Sequence, residues 1–138
     1  MAYNESLTSI SLNADSSLAV YTGVPGMPGS PNPNYGRQYR FVKGTGAHQC
    51  GLATADTDNV VGVMQNKPQQ TGQAATVAIL GVSMVMAGAA LDAGDTVGPD
   101  AEGRAVTGGT NGVALAAAGQ ANELVPVLLL QGVTTATA

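Results

Sequence analysis

The chain has 138 residues, a net charge of −4 and only 10% charged residues, which fits one small domain with less surface charge than the ~25% of soluble proteins. Five basic residues are too few to follow a phosphate backbone, and one cysteine excludes an internal disulfide, so nucleic-acid binding and a disulfide scaffold are both disfavoured. Nineteen glycines and seven prolines favour strands and turns over long helices.

The first 36 residues differ in composition from the rest, and we predict that they form an extended N-terminal arm before a body over residues 37–138. The stretch TGVPGMPGSPNPNYG (22–36) contains four prolines and four glycines, which is incompatible with a helix or a central strand. All five aromatic residues lie at or before Phe41. The arm is either disordered in the free protein or lies on a partner, and its tyrosines either contact that partner or cap the body.

From Gln38 onward the pattern is typical of β-strands. QYRFV (38–42) alternates between polar and apolar positions. Three later segments also predict strands, namely NVVGV (59–63), TVAILGVSMVM (76–86) and ELVPVLLL (123–130). The alternation changes phase at Leu80–Gly81, which predicts a glycine bulge. The last segment is apolar on both parities, which predicts that both of its faces are covered, and Pro126 within it favours an edge strand or a bulge.

Residues 61–80 and 111–130 share an order of parts: Gly-Val, a variable stretch, Gly-Gln-Ala and an apolar strand. This internal similarity predicts two related strand–turn–strand units. The fold class that we predict is all-β, a small barrel or sandwich with an extended Pro/Gly-rich N-terminal arm.

The polar clusters point to turns rather than to chemistry. Asp92, Asp95 and Asp100 are spaced by glycines in a pattern that matches neither an EF-hand loop nor the nonapeptide of calcium β-rolls, whereas Asp and Gly together are typical of turns. Asp56 and Asp58 precede a strand in TADTDN, which favours an Asx-type turn.

His48 and Cys50 are the only histidine and the only cysteine of the chain. A nucleophilic pair needs an orienting third group, and a zinc site needs further ligands. A buried thiol beside a surface imidazole is therefore the preferred interpretation. We predict no catalytic residues, no metal and no cofactor.

The body resembles the capsid cement, or head decoration, proteins of tailed bacteriophages and prophages. The resemblance is carried by four segments in order, QYRFVKG (38–44), VVGVMQNKP (60–68), GQAATVAILGVSMVMAGAALDAGDTVGPDAEGRAV (72–106) and GVALAAAGQANELVPVLLL (112–130). Its most specific part is Gly94–Asp95 with Val97, followed by Asp100 with Gly103–Arg104.

The resemblance implies an all-β, non-enzymatic structural protein on the capsid exterior of a virion, synthesised in the host cytoplasm. Its implied partners are the major capsid protein and further copies of itself, with a homotrimer favoured and neither nucleic acid nor a membrane bound. The candidate contact residues are Tyr3, Tyr21, Pro25, Tyr35, Arg37, Tyr39 and Arg40.

Two other functions remain open from the sequence. A carbohydrate-binding or adhesive β-module on a virion or cell surface would use Tyr21, Tyr35 and Tyr39. A hydrolase would have to use Cys50 and His48 or the aspartate cluster, but the sequence offers no complete set of nucleophile, base and orienting group.

Overall fold

A computed structural model describes residues 7–18, 37–68 and 70–130 of the chain. Within these ranges the protein is all-β, with nine strands and no helix, so no described helix is able to cross a membrane. The strands are β1 (Leu7–Ala14), β2 (Phe41–Gly46), β3 (Gln49–Leu52), β4 (Val60–Met64), β5 (Ala74–Met86), β6 (Thr96–Pro99), β7 (Ala105–Thr107), β8 (Gly112–Ala114) and β9 (Leu124–Leu129).

The first five strands form a closed barrel. Their order is β1–β3–β2–β4–β5, and a further pairing between β1 and β5 closes the ring. Every second side chain of each strand points into the barrel, because successive residues of a strand face opposite sides of the sheet. The barrel core consists of Ala14, Leu18, Val42, Cys50, Leu52, Met64, Ala75 and Val77.

Strand β5 connects the barrel to a second sheet of order β5–β9–β8–β6–β7. Its first half pairs with β1 and β4, and residues Val82 to Met86 pair with β9. Opposite β1, Thr8 pairs with Leu80 and Ser9 with Ala78, so Ile79 is the extra residue of a β-bulge. A bulge is therefore present one residue before the predicted position, but its extra residue is Ile79 and not the predicted glycine. The extra residue exchanges the two faces of the strand.

A second core lies between the outside of the barrel and the inner face of the second sheet. It joins Phe41, Val63 and Ala78 of the barrel wall to Val85 and Val127 of the second sheet. Phe41 belongs to this core and has the largest side chain among the fully buried residues that the structure describes.

The predicted internal repeat is present in the structure. In the barrel, β4 and β5 are antiparallel and Val63 pairs with Ala78. In the second sheet, β8 and β9 are antiparallel and Val113 pairs with Leu128, so both partners are displaced by the same 50 positions. Gly62 and Gly112 occupy equivalent places, because a Cβ on either would approach the carbonyl oxygen of Ala78 or of Leu128.

The predicted arm is not confirmed as one unit. Residues 7–14 form β1, which closes the barrel and buries Ala14 in its core. Residues 19–36 lie outside the described residues. A body that began at residue 37 would lack one wall of the barrel.

The strand predicted to start at Gln38 begins only at Phe41. Arg37 and Tyr39 have backbone φ angles of 51° and 63°. Residues other than glycine and asparagine rarely adopt this left-handed conformation. The backbone of Tyr39 still bridges two strands, since its N–H donates to Met64 O at 2.7 Å and its carbonyl accepts from Met86 N at 2.9 Å. These contacts fix the left-handed segment against the barrel.

Candidate functional site

The most extensive candidate surface is the outer face of the second sheet. The register places Val82, Met84 and Met86 of β5 beside Leu128, Pro126 and Leu124 of β9. On the other side of β9, Val113 pairs with Leu128, and Leu115 donates its N–H to Pro126 O at 2.8 Å. These side chains share one face because they lie directly opposite one another in the ladder.

This outer face is apolar and open to solvent in the single chain. Leu80 is 50% exposed, Leu115 47%, Leu124 43%, Leu128 40% and Met84 38%. No ionisable side chain lies among the face residues of β5, β8 and β9 that the structure describes. Contiguous exposed apolar patches on a small protein mark a contact with another molecule.

The face corrects the expectation that ELVPVLLL is covered on both sides. Val125, Val127 and Leu129 are buried in the second core, whereas Leu124 and Leu128 are exposed on the opposite face. The sequence already contained the relevant pattern, because two apolar strands carried an apolar residue at every alternate outer position. Which of the two faces the chain itself covers could not be read from that pattern.

A second candidate region surrounds Arg40, which is only 3% exposed. Its Nη1 donates to the carbonyl oxygen of Glu102 at 2.8 Å, while its Nε has no hydrogen-bond partner among the residues that the structure describes. Burial lowers the pKa of Arg40 below its usual value, and the nearby positive charges of Arg37 and Arg104 lower it further. The guanidinium thus anchors the segment before β2 to the loop between β6 and β7.

The loop between β6 and β7 shows the role of Asp100, one of the three glycine-spaced aspartates. Asp100 Oδ1 accepts hydrogen bonds from the backbone N–H groups of Glu102 and Arg104, and Asp100 Oδ2 pairs with Arg104 Nε at 3.0 Å. Gly103 has φ of 74°, and its carbonyl accepts from Phe41 N at 2.8 Å. The Asp-x-x-Gly-Arg sequence is therefore a hairpin that closes on itself and docks against β2.

The other acidic positions also form turns. Asp95 Oδ2 accepts the N–H of Asp92 at 2.9 Å. Asp58 Oδ2 accepts the N–H groups of Thr54 and Ala55 and pairs with Lys43 at 3.2 Å. The turn interpretation is confirmed at both places. Among residues 7–18, 37–68 and 70–130, no three His, Cys, Asp or Glu side chains are grouped as a metal site would require.

Burial would raise the pKa of Asp58, but the hydrogen bonds from Thr54, Lys43 and Ala55 outweigh it and leave the pKa lowered. The carboxylate form therefore holds the turn between β3 and β4 against β2. This polar contact is structural, because all of its partners belong to the same loop or to the adjacent strand.

His48 and Cys50 occupy different environments. Cys50 is fully buried in the barrel core, and burial followed by the negative charge of Asp15 raises the pKa of its thiol to about 11. His48 is exposed in the β2–β3 turn with φ of 48°. A thiol that is neutral and enclosed cannot serve as a nucleophile, so the interpretation of Cys50 as a packed core residue is confirmed.

The structure places the predicted contact residues in three groups. Tyr3, Tyr21, Pro25 and Tyr35 lie outside the described residues. Arg37 and Tyr39 are half-buried in the left-handed segment, and Arg40 is buried beneath it. The apolar outer face was not among the predicted contacts.

Comparison with known proteins gives a matching family model and similar solved structures. The model of the phage cement protein family matches residues 41–129, which is more than half of the chain. The N base of the head fiber gp8.5 of bacteriophage phi29 has a similar fold, with a TM-score of 0.60, 20% identity, and coverage of 91% of this chain and 96% of that chain. None of the curated proteins compared with the chain matches it.

Proposed function

The chain belongs to the phage cement protein family, and we propose on this basis that it binds the outer surface of a phage capsid and cements the head. It is a structural protein of the phage head and a component of the virion. Its partner in this proposal is the major capsid protein, and its role is mechanical rather than catalytic. After synthesis in the host cytoplasm it attaches to the exterior of the assembled shell.

The observation that carries the proposal is the apolar outer face of the second sheet. Five of its side chains, those of Leu80, Met84, Leu115, Leu124 and Leu128, retain 38–50% of their exposure. Burying the remainder yields roughly 3–6 kcal/mol, since a fully buried side chain of this type contributes about 1.5–3 kcal/mol. A contact of this size is weak for a single copy and becomes firm when many copies repeat it on a lattice.

The same magnitude supports an oligomer. Association costs ~4–15 kcal/mol in lost freedom of motion, so one such face is too weak for firm attachment. Linked copies bind with a high effective concentration, and their combined affinity far exceeds that of a single contact. We therefore propose a homo-oligomer, and the resemblance to capsid cement proteins favours a trimer.

The remaining proposed contacts come from the aromatic and basic residues near the N-terminus. Tyr3, Tyr21, Pro25 and Tyr35 are proposed to contact the shell, together with Arg37 and Tyr39 at the barrel surface. For Arg40, which is buried and bonded to Glu102 O, we propose that it holds the segment with Arg37 and Tyr39 in place.

The test is a stability measurement on purified heads. Expanded, undecorated heads of the encoding phage are heated with and without the protein, and release of packaged DNA is followed with an intercalating dye. We expect the protein to pellet with the heads and to raise the temperature of DNA release. Pelleting without any rise would leave a decoration without a cementing role, and failure to pellet would refute the proposal.

A further inference from the structure

Strand β1 has one edge that no described strand covers over residues 7–12. It pairs with β5 from Leu7 to Asn13, whereas its parallel pairing with β3 is limited to Asn13 and Ala14. Because β3 begins only at Gln49, β1 extends beyond the β2–β3 hairpin. Leu7 to Ser11 are accordingly exposed.

The hydrogen bonds at the C-terminal end of β1 show which backbone groups point to this open edge. Asn13 N donates to His48 O at 2.7 Å and Asp15 N to Cys50 O at 2.9 Å, on the β3 side, while Ala14 N donates to Gln73 O at 2.9 Å, on the β5 side. Backbone groups of successive residues in a strand point to opposite edges. The N–H and C=O groups of Ser9 and Ser11 therefore point to the side where β3 is missing.

Nothing in the local sequence protects this edge. Natural proteins block open edges with lysine, proline or very short strands, but Leu7–Ala14 is eight residues long and contains neither charge nor proline. Over residues 7–12, β1 pairs with β5 alone, and its other edge has no strand beside it among the described residues. The edge thus has the properties of one that is completed by another strand.

We propose that an extended segment of the shell protein adds to β1 as a further strand, an inference that rests on the proposed function. The backbone N–H and C=O groups of Ser9 and Ser11 would form the hydrogen bonds to the added strand. Ile10 and Leu12 lie on the barrel-facing side and are partly exposed, so the segment carries apolar side chains at alternate positions. Since neither β1 nor β5 has an ionisable side chain, backbone pairing and apolar contacts select the segment.

A second copy of this chain fits the edge less well. Two β1 edges would pair about a two-fold axis and give a closed dimer. Such a contact would occupy the edge without joining the protein to the shell. Pairing with the shell protein instead gives each subunit one strand contact with the lattice. In an oligomer several such contacts form together, which raises the combined affinity.

Hydrogen exchange of the backbone amides tests the proposal directly. In the free protein the amides of Ser9 and Ser11 should exchange fast, while those of Ile10 and Leu12 are protected by β5. On heads, the Ser9 and Ser11 amides should become protected at least tenfold. Fast exchange of both amides on heads that carry bound protein would overturn the inference and leave the proposed function intact.

Ser11→Pro provides an independent test with Ser11→Val as its control. Proline removes the N–H that points to the open edge and leaves pairing with β5 unchanged, since edge strands accept proline. We expect Ser11→Pro to weaken attachment about tenfold, as loss of a backbone hydrogen bond implies, and Ser11→Val to attach normally. Equal attachment of both would contradict the inference; if Ser11→Pro unfolds, amide exchange in the wild type decides.

Two further outcomes are distinguishable. Protection of Ser9 and Ser11 in the free protein would overturn the inference, because the edge would then be filled by the chain itself or by a second copy. Wild-type protein that never pellets with heads would refute the proposed function, whatever the exchange of β1 shows.

Discussion

The barrel core and the outer face of the second sheet use the same aliphatic residue types, but only the first is closed. Met64 is fully buried inside the barrel, whereas Met84 is 38% exposed on the outer face. Apolar side chains in the barrel core therefore stabilise the fold, whereas those on the outer face are available to contact another molecule. If this division is real, equivalent substitutions in the two regions must affect different properties.

The largest effect is expected where the barrel is tightest. A Cβ at Gly62 would lie 1.9 Å from the carbonyl oxygen of Ala78, so Gly62→Ala must displace β4 from β5. We expect a loss of at least ~3 kcal/mol in the free energy of unfolding, measured by denaturant titration. Gly119→Ala is the control, because its nearest contact would be Glu123 Oε1 at 3.6 Å; similar losses in both variants would contradict this account.

The matched methionines provide the next test. Met64→Ala should cost ~2–5 kcal/mol in unfolding free energy, because it leaves a cavity in a closed core. Met84→Ala should cost less than ~1 kcal/mol, because solvent already reaches that side chain. Attachment to heads should show the opposite order when measured below the melting temperature of both variants. Equal stability losses would mean that the two regions do not differ in closure.

A smaller effect is expected at the polar contacts of the barrel wall. The pKa of Asp58 is lowered in the folded state, so its carboxylate stabilises the fold above the unfolded pKa of about 3.9. That stabilisation is lost as the pH falls through the lower, folded-state pKa. Asp58→Asn should cost about 1 kcal/mol at neutral pH and progressively less in acid. Thermal unfolding, followed from neutral pH into acid, measures this dependence. Asp56→Asn, at an exposed neighbouring position, is the matched control and should unfold like the wild type at neutral pH.

Much of the fold was predictable because alternation and turn chemistry act locally. The strands at 59–63 and 76–86 and the repeated hairpins follow from residue order and glycine placement, whereas the extra residue of the β-bulge is Ile79 and not the predicted glycine. The repeat is the clearest example, since Val63–Ala78 and Val113–Leu128 pair at equivalent positions.

The errors arose where distant contacts override local preference. β1 alternates Ser9 and Ser11 with Ile10 and Leu12, but its place in the barrel depends on β5, about 65 residues later along the chain. The left-handed φ angles at Arg37 and Tyr39 run against the preferences of those residues. They are held by contacts such as Tyr39 N to Met64 O.

The outer face was missed for a different reason. Strand β9 is apolar on both sides, and composition alone does not reveal which side another part of the chain covers. The distinction requires the register with β5 and β8, which places Leu124 and Leu128 outward and Val125 and Val127 inward. The sequence therefore predicted strands β5 and β9, and only their register in the sheet identified the exposed surface.

Co-sedimentation of the wild type and Met84→Lys with undecorated heads tests the central claim most directly. A lysine in the middle of the apolar face should leave the fold intact and keep the variant in the supernatant, while the wild type pellets with the particles. Thr57→Lys, at an exposed position of the β3–β4 loop, should pellet like the wild type. Pelleting of folded Met84→Lys at wild-type occupancy would contradict the claim that this face attaches the protein to the head.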